Sequence, residues 1–228
     1  MSDLSLPLLL ALDVRPLAEP SLFAAACAAV EPERREAVQQ LHRTADRCRS
    51  LGAGLLLQHG LTLLGIPQEE RTLVRGEHGK PALRSGAVQF SLSHDGDLAL
   101  CALDSAPLGC DAAEIVPRDF RVARRFAPEE QDALAALPDD ETRLRQFYRY
   151  WTLKESLMKA TGLGFAMPLR ASRFRLTETG AELLSDDPAG YHFREFSDLP
   201  GYQITLCCTH SPEAAVLRLC SADELLNR

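Results

Sequence analysis

Residues 151–159 read Trp151-Thr152-Leu153-Lys154-Glu155-Ser156-Leu157-Met158-Lys159. They sit in a helical pattern from about Asp140 to Thr161, where Leu144, Phe147, Tyr148, Trp151, Glu155, Met158 and Lys159 recur near one side at three- and four-residue spacing. Gly162 and Gly164 end the pattern. Glu155 and Lys159 are one helical turn apart, the spacing of an ordinary surface ion pair. Their surroundings argue otherwise. Trp151 lies one turn before Glu155 on the same side and Leu157 and Met158 flank it, so the pair falls at the margin of a packed face.

Working outward, residues 6–14 are expected to form a strand and residues 21–30 a helix stopped by Glu31-Pro32. From Pro32 to Gly60, Val38, Leu41, Ala45, Cys48, Leu51, Leu55 and Leu56 fall near helical spacing, which leaves the arginines mainly on the opposite side. After an apolar stretch at 61–66 comes a loop at 75–83, punctuated by Gly and Pro. A strand at 88–92 then faces a partner at 98–103 across the turn His94-Asp95-Gly96-Asp97. The next strand, Leu108-Gly109-Cys110-Asp111, is expected to end in its carboxylate. Residues 118–137 carry helical patterns broken by Pro128 and Pro138. Past the long helix, 174–176, 191–196, 202–208 and 215–219 read as strands of a meander.

Composition bounds the function. With 46% apolar and 25% charged residues in 228, the chain can bury a real core, as one large unit or two small halves. A net charge of -7 argues against a general nucleic-acid binder. The basic residues are local, in one cluster of Arg34, Arg35, His42, Arg43, Arg47 and Arg49 and another of Arg118, Arg121, Arg124 and Arg125. The second is equally read as a solvated face. Seven cysteines, without a CxxC pair or zinc spacing, fit reduced thiols and a cytoplasmic location. The first apolar run has Asp3 before it, no basic residue, and Asp13 after it; it reads as a strand and not a secretory signal, and no membrane span is expected.

Two carboxylates brought together can hold magnesium when a phosphate supplies further oxygens, and Asp111 is the second candidate beside Glu155. Four segments in order make the pattern specific: Gly79-Lys80-Pro81, Phe90-Ser91-Leu92-Ser93-His94, Gly109-Cys110-Asp111, and residues 151–159. Their order and spacing closely resemble the phosphopantetheinyl transferase superfamily, of the type that activates surfactin synthetase. Residues 32–36, 48–56, 164–169 and 200–210 extend the resemblance over nearly the whole chain.

The resemblance implies an α+β fold of two similar α/β halves, about 1–107 and 108–228, related by a pseudo-twofold axis with the coenzyme in the cleft between them, and a monomer. It implies transfer of the 4'-phosphopantetheine arm of coenzyme A to a serine of an apo acyl or peptidyl carrier protein, releasing 3',5'-adenosine bisphosphate. The implied ion is Mg2+, with Mn2+ as an alternative, held by Asp111 and Glu155. Glu155 is the expected base, directly or through a metal-bound water, Lys159 stabilises charge on the phosphate, and His94 reaches a pyrophosphate oxygen. Arg34, Arg49, Lys80, Pro81, Ser93, His94 and Lys159 are the expected coenzyme A contacts. Carrier docking is assigned to residues around Arg121, Arg124 and Arg125 and the face beside the long helix. Neither nucleic acid nor membrane is an expected partner.

One departure stands out. The family usually carries a metal-binding glutamate two residues after the aspartate, where this chain has Ala113, with Glu114 one residue later. Strand alternation aims Glu114 away from Asp111 unless the chain bulges, so Glu114 is a lesser metal ligand. The departure also motivates a rival reading, a module that binds coenzyme A or a carrier without transfer. A coenzyme A pyrophosphate hydrolase is a further rival, but the chain offers no nucleophile motif or glutamate-rich helix for it.

Overall fold

A computed structural model describes residues 6–117, 119–185 and 190–227; Arg118 of the second basic cluster lies outside the described residues. In chain order the regular elements are β1 (Leu8–Asp13), α1 (Pro20–Ala29), α2 (Pro32–Gln40), α3 (Thr44–Leu63), β2 (Leu73–Arg75), β3 (Pro81–Leu83), β4 (Gln89–Asp95) and β5 (Leu98–Asp104). They continue with β6 (Leu108–Glu114), α4 (Pro128–Ala135), α5 (Asp140–Thr161), β7 (Phe174–Leu176), β8 (Ala181–Leu183), β9 (His192–Phe196), β10 (Tyr202–Cys208), β11 (Leu217–Cys220) and α6 (Ala222–Leu226). The fold is α+β. The chain forms two compact units, one of 1–74, 82–105 and 214–228, the other of 75–81 and 106–213.

In the first unit a four-stranded sheet runs β11-β1-β5-β4. Every β5 residue is buried and β1 is buried up to Asp13, as expected of strands covered on both faces. Helix α3 packs on this sheet through Leu51, Leu55, Leu56 and Leu61, joined in one core by Leu10, Leu12 and Leu103. The single amphipathic region expected over 32–60 is two helices, because the backbone is extended at Leu41 and again at Arg43 before α3 starts.

In the second unit β6, β10 and β9 form an antiparallel sheet on which α5 lies. Asp139 caps α5 by accepting a hydrogen bond from the Thr142 N–H at 2.7 Å, with Asp140 and Glu141 in the first turn to complement the helix dipole. Gly162 closes its far end at φ 75°, a left-handed conformation that glycine adopts without strain. Two hydrogen bonds tie α5 to neighbouring chain, from the Tyr148 hydroxyl to the Val116 carbonyl at 2.9 Å and between the Thr152 and Thr205 hydroxyls at 2.8 Å.

Two further expectations are corrected. Strand β6 does not end at Asp111 but runs to Glu114, paired in register with Tyr202–Cys208 throughout. The late strands are not one meander. Strand β7 pairs with β8, β9 and β10 join β6, and β11 crosses to the first unit, where it pairs parallel to β1 with Leu9 opposite Leu217. A parallel partner cannot be reached by a tight turn, and the hydrophobic pattern of a single strand says nothing of which edge it joins.

Candidate active site

Gly109 determines how close α5 comes to β6. A Cβ at that position would stand 2.0 Å from the Ser156 carbonyl oxygen and 2.5 Å from the Ala160 nitrogen, so helix backbone lies directly on strand backbone. Two residues on, Asp111 points from the same strand face toward the helix. The Lys159 Nζ is 2.6 Å from Asp111 Oδ1 and 3.0 Å from the Cys110 carbonyl oxygen. Along residues 151–160 only Trp151, Glu155 and Lys159 are half-exposed, and all the others are buried. The charged stripe therefore emerges at the edge of a packed face, as the sequence pattern requires.

The electrostatics follow from this crowding. Burial raises the Glu155 carboxyl above its ordinary pKa of 4.5, and the nearby Asp111 charge raises it further, against the opposing pull of Lys159. Burial works against the Lys159 ammonium, yet Asp111 and Glu155 together hold its pKa above the ordinary value. Two carboxylates that repel each other beside a cation-tolerant rim fit a hard divalent ion, which relieves that repulsion with oxygen donors. Lys80 stands in the same unit. Its ammonium donates to the Leu108 carbonyl at 3.0 Å, and burial lowers its pKa. Pro81 follows at the start of β3 and is half-buried.

The ladder between β6 and β10 has no bulge from Leu108 to Glu114. Asp111 and Ala113 consequently share one face, with Ala113 in the core beneath α5, and Glu114 points to the other.

The remaining expected residues belong to the first unit. Arg49, on α3, donates to the Gly96 carbonyl at 2.7 Å and pairs with Asp46, so it grips the β4–β5 turn that follows Ser93 and His94. Ser93 is buried and His94 exposed at the end of β4. Arg34 is 19% exposed, donates to the Ser50 carbonyl at 3.2 Å, and lies against Gly54 between α2 and α3. Arg35, weighed as a substitute cation, donates instead to the Cys27, Ala28 and Val30 carbonyls at the end of α1. Much of the early basic cluster thus closes helix ends.

Sequence reading passed over Lys154, although it lies inside the 151–159 motif. Its side chain is fully buried, 2.7 Å from a Glu130 carboxylate oxygen that is itself fully buried, and it donates to the Leu169 carbonyl at 2.9 Å and to that of Ser172. Phe126 and Phe174 put their rings over the ammonium. Its neighbour Glu155 drew the attention, but a lysine one position off the half-exposed stripe must turn into the core and find a partner there.

Comparison with known proteins agrees with this picture. Residues 107–207 match the family model described as the 4'-phosphopantetheinyl transferase superfamily, and residues 17–106 match that of the 4'-phosphopantetheinyl transferase N-terminal region. The chain is 31% identical over 202 residues to the 4'-phosphopantetheinyl transferase psf-1 of Bacillus pumilus, covering 86% of each chain. It is 29% identical over 203 residues to the 4'-phosphopantetheinyl transferase Sfp of Bacillus subtilis strain 168, covering 86% of this chain and 90% of that one. It is also 29% identical over 178 residues to an L-aminoadipate-semialdehyde dehydrogenase-phosphopantetheinyl transferase of Xenopus laevis, covering 71% of this chain and 58% of that one. With matches that run through both parts of the chain and through the segment that carries Asp111, Glu155 and Lys159, the chain belongs to the 4'-phosphopantetheinyl transferase superfamily.

Proposed function

We propose that this protein transfers the 4'-phosphopantetheine arm of coenzyme A to a serine hydroxyl of an apo acyl or peptidyl carrier protein, releasing 3',5'-adenosine bisphosphate. The reading is carried by one observation together with family membership: Asp111, Lys159 and Glu155 gather around the close contact of α5 and β6 at Gly109.

In this reading Asp111 and Glu155 hold Mg2+, or Mn2+ in its place. When bound, the ion neutralises phosphate charge and acts as a Lewis acid toward the phosphoryl oxygens. The chain's own groups do the rest. Glu155, whose carboxyl has been pushed up by burial, is matched to accept the serine proton as the new oxygen–phosphorus bond forms. Lys159 stabilises the charge that builds on the phosphate oxygens while the bond to the adenosine bisphosphate leaving group breaks. Coenzyme A contacts are assigned to Arg34, Arg49, Lys80, Pro81, Ser93, His94 and Lys159. Cations at these positions suit its phosphates.

The acceptor protein is assigned to the surface around Arg121, Arg124 and Arg125, all exposed, and to the end of α5, where Phe165 is 92% exposed. Carrier proteins are typically acidic, and exposed basic side chains complement such a partner. We further infer that the enzyme works as a monomer in the cytoplasm, serving fatty-acid or secondary-metabolite assembly lines, with neither nucleic acid nor membrane as a partner. No helix among the described residues is long and apolar enough to cross a membrane.

Incubation with coenzyme A, Mg2+ and an apo carrier protein, followed by intact-mass measurement of the carrier, tests the transfer. The carrier should gain the mass of one arm. Coenzyme A binding with no mass gained would favour a binding module, and release of phosphopantetheine without a carrier would favour a hydrolase.

A further inference from the structure

The first unit holds a second group of ligating side chains, drawn from α3 and from the consecutive elements β11 and α6 near the other end of the chain. His59 on α3, Cys220 at the end of β11 and Glu224 in the first turn of α6 offer a nitrogen, a sulfur and an oxygen that all lie within 4.8 Å of one another. His59 Nε2 is 3.7 Å from Glu224 Oε1. His59 and Cys220 are buried, at 3% and 4% exposure, whereas the Glu224 side chain is 32% exposed. The cluster is therefore closed on its inner side and open at one edge.

We propose that His59, Cys220 and Glu224 form a binding site for Zn2+. The donor set suits the ion. Imidazole, thiolate and carboxylate are the three side chains zinc takes, whereas a hard ion such as Mg2+ avoids sulfur. Bond lengths of about 2.0 Å to N and O and about 2.3 Å to S set tetrahedral donor atoms roughly 3.3–3.7 Å apart. The His59–Glu224 pair at 3.7 Å closes by a few tenths of an ångström to the roughly 3.3–3.5 Å of N and O donors, and the sulfur, within 4.8 Å of both, by about 1.3 Å or less.

Charge balances as well. On binding, the Cys220 thiol gives its proton to solvent, and thiolate plus carboxylate cancel the two positive charges of the ion, with His59 neutral. A neutral assembly is what a mostly buried site requires. Glu224 also pairs with Arg218 through the same Oε1 that faces His59, so on binding the ion takes that oxygen and the guanidinium, whose side chain is 44% exposed, moves to Oε2 or out to solvent. Beside the cluster lies a cavity of about 400 Å³ that His59 lines with Leu55, Gln58, Leu225 and Leu226. Three protein ligands leave the fourth position to water. Because the ligands join α3 to the β11–α6 return, the ion would staple the C-terminal segment to the first unit.

Cobalt reports the thiolate directly. One equivalent of Co2+ added to the reduced, full-length protein should produce a thiolate-to-metal charge-transfer band in the near ultraviolet, and Zn2+ should displace it. Carboxylates such as Asp111 and Glu155 cannot produce that band. Cys220→Ser should abolish it. Glu224→Gln, at a partly exposed position that leaves the core intact, should weaken Co2+ and Zn2+ binding at least about tenfold and shrink the Zn2+-induced rise in melting temperature. No band from the wild-type protein, or a band equally strong in Cys220→Ser and unaltered in Glu224→Gln, would overturn the proposal.

Discussion

The Lys159 ammonium lies 2.6 Å from Asp111 Oδ1, joining the last turn of α5 to the middle of β6. The bond occupies a carboxylate oxygen that a metal ion would also seek, so in the proposed reading Lys159 would hold Asp111 until an ion arrives and would then turn toward phosphate. Lys159→Ala should lower kcat by about 10²–10³-fold, the usual cost of removing one well-placed donor to developing charge. Steady-state kinetics with a fixed apo carrier measures it; a drop confined to KM would mean that Lys159 only binds substrate.

Glu155 provides a pH signature. Burial and then the Asp111 charge raise its pKa above 4.5 in the folded, metal-free protein. Between the ordinary value and the raised one, the folded state holds one more proton than the unfolded chain. Stability therefore falls as pH rises through that window and levels off above the folded-state pKa. Chemical denaturation of metal-free protein at a series of pH values should show this slope, and Glu155→Gln should flatten it. Asp111→Asn should shift the window toward 4.5 without restoring it fully, since burial remains.

Gly109→Ala tests the backbone contact. The added methyl would stand 2.0 Å from the Ser156 carbonyl oxygen, and a backbone atom within a packed helix cannot retreat cheaply. The variant should lose about 1–3 kcal/mol or more of stability. It should also lose transfer activity at temperatures where it remains folded, because α5 must ride away from β6 and carry Glu155 with it. Retained activity would uncouple the packing from the chemistry.

Lys154→Met removes one member of a fully buried ion pair and leaves the Glu130 charge without its cation. Breaking such a pair costs about 3–5 kcal/mol, so urea unfolding should show a loss of that size. Glu130 also accepts from the Ala127 and Phe174 amides, which a neutral Gln could satisfy only in part. A loss below about 1 kcal/mol would mean the pair is held as neutral partners.

Charge reversal at Arg124 and Arg125, both exposed, should raise KM for an acidic carrier protein by tenfold or more, roughly the effect of like charges facing each other at an interface. KM for coenzyme A should not change. An unaltered carrier KM would move the docking surface elsewhere.

Legibility in the sequence tracked the range of the interactions. Helix α5 was readable because its apolar spacing and terminal glycine are local signals, and the half-exposed stripe of Trp151, Glu155 and Lys159 followed from helical period alone. The break at 41–43 was hidden, since apolar residues on both sides keep nearly the same phase. Strand β6 outran its expected end because Ala112 and Ala113 carry no alternation that could extend it. The pairing of β11 with β1, the burial of Lys154 on Glu130 and the meeting of Asp111 with Lys159 depend on contacts across long stretches of chain, which no local pattern records. The arginines of α2 and α3 looked like a free basic face, yet helix ends leave carbonyls unpaired, and the Arg35 and Arg47 guanidiniums answer them.

The central claim is that Asp111 and Glu155 jointly hold the divalent ion on which transfer depends. Electron paramagnetic resonance titration of Mn2+ into the protein with saturating coenzyme A tests it most directly. The claim predicts one tightly bound ion in the wild type and a loss of that binding in Asp111→Ala and in Glu155→Ala alike. Undiminished Mn2+ binding in either variant would contradict it.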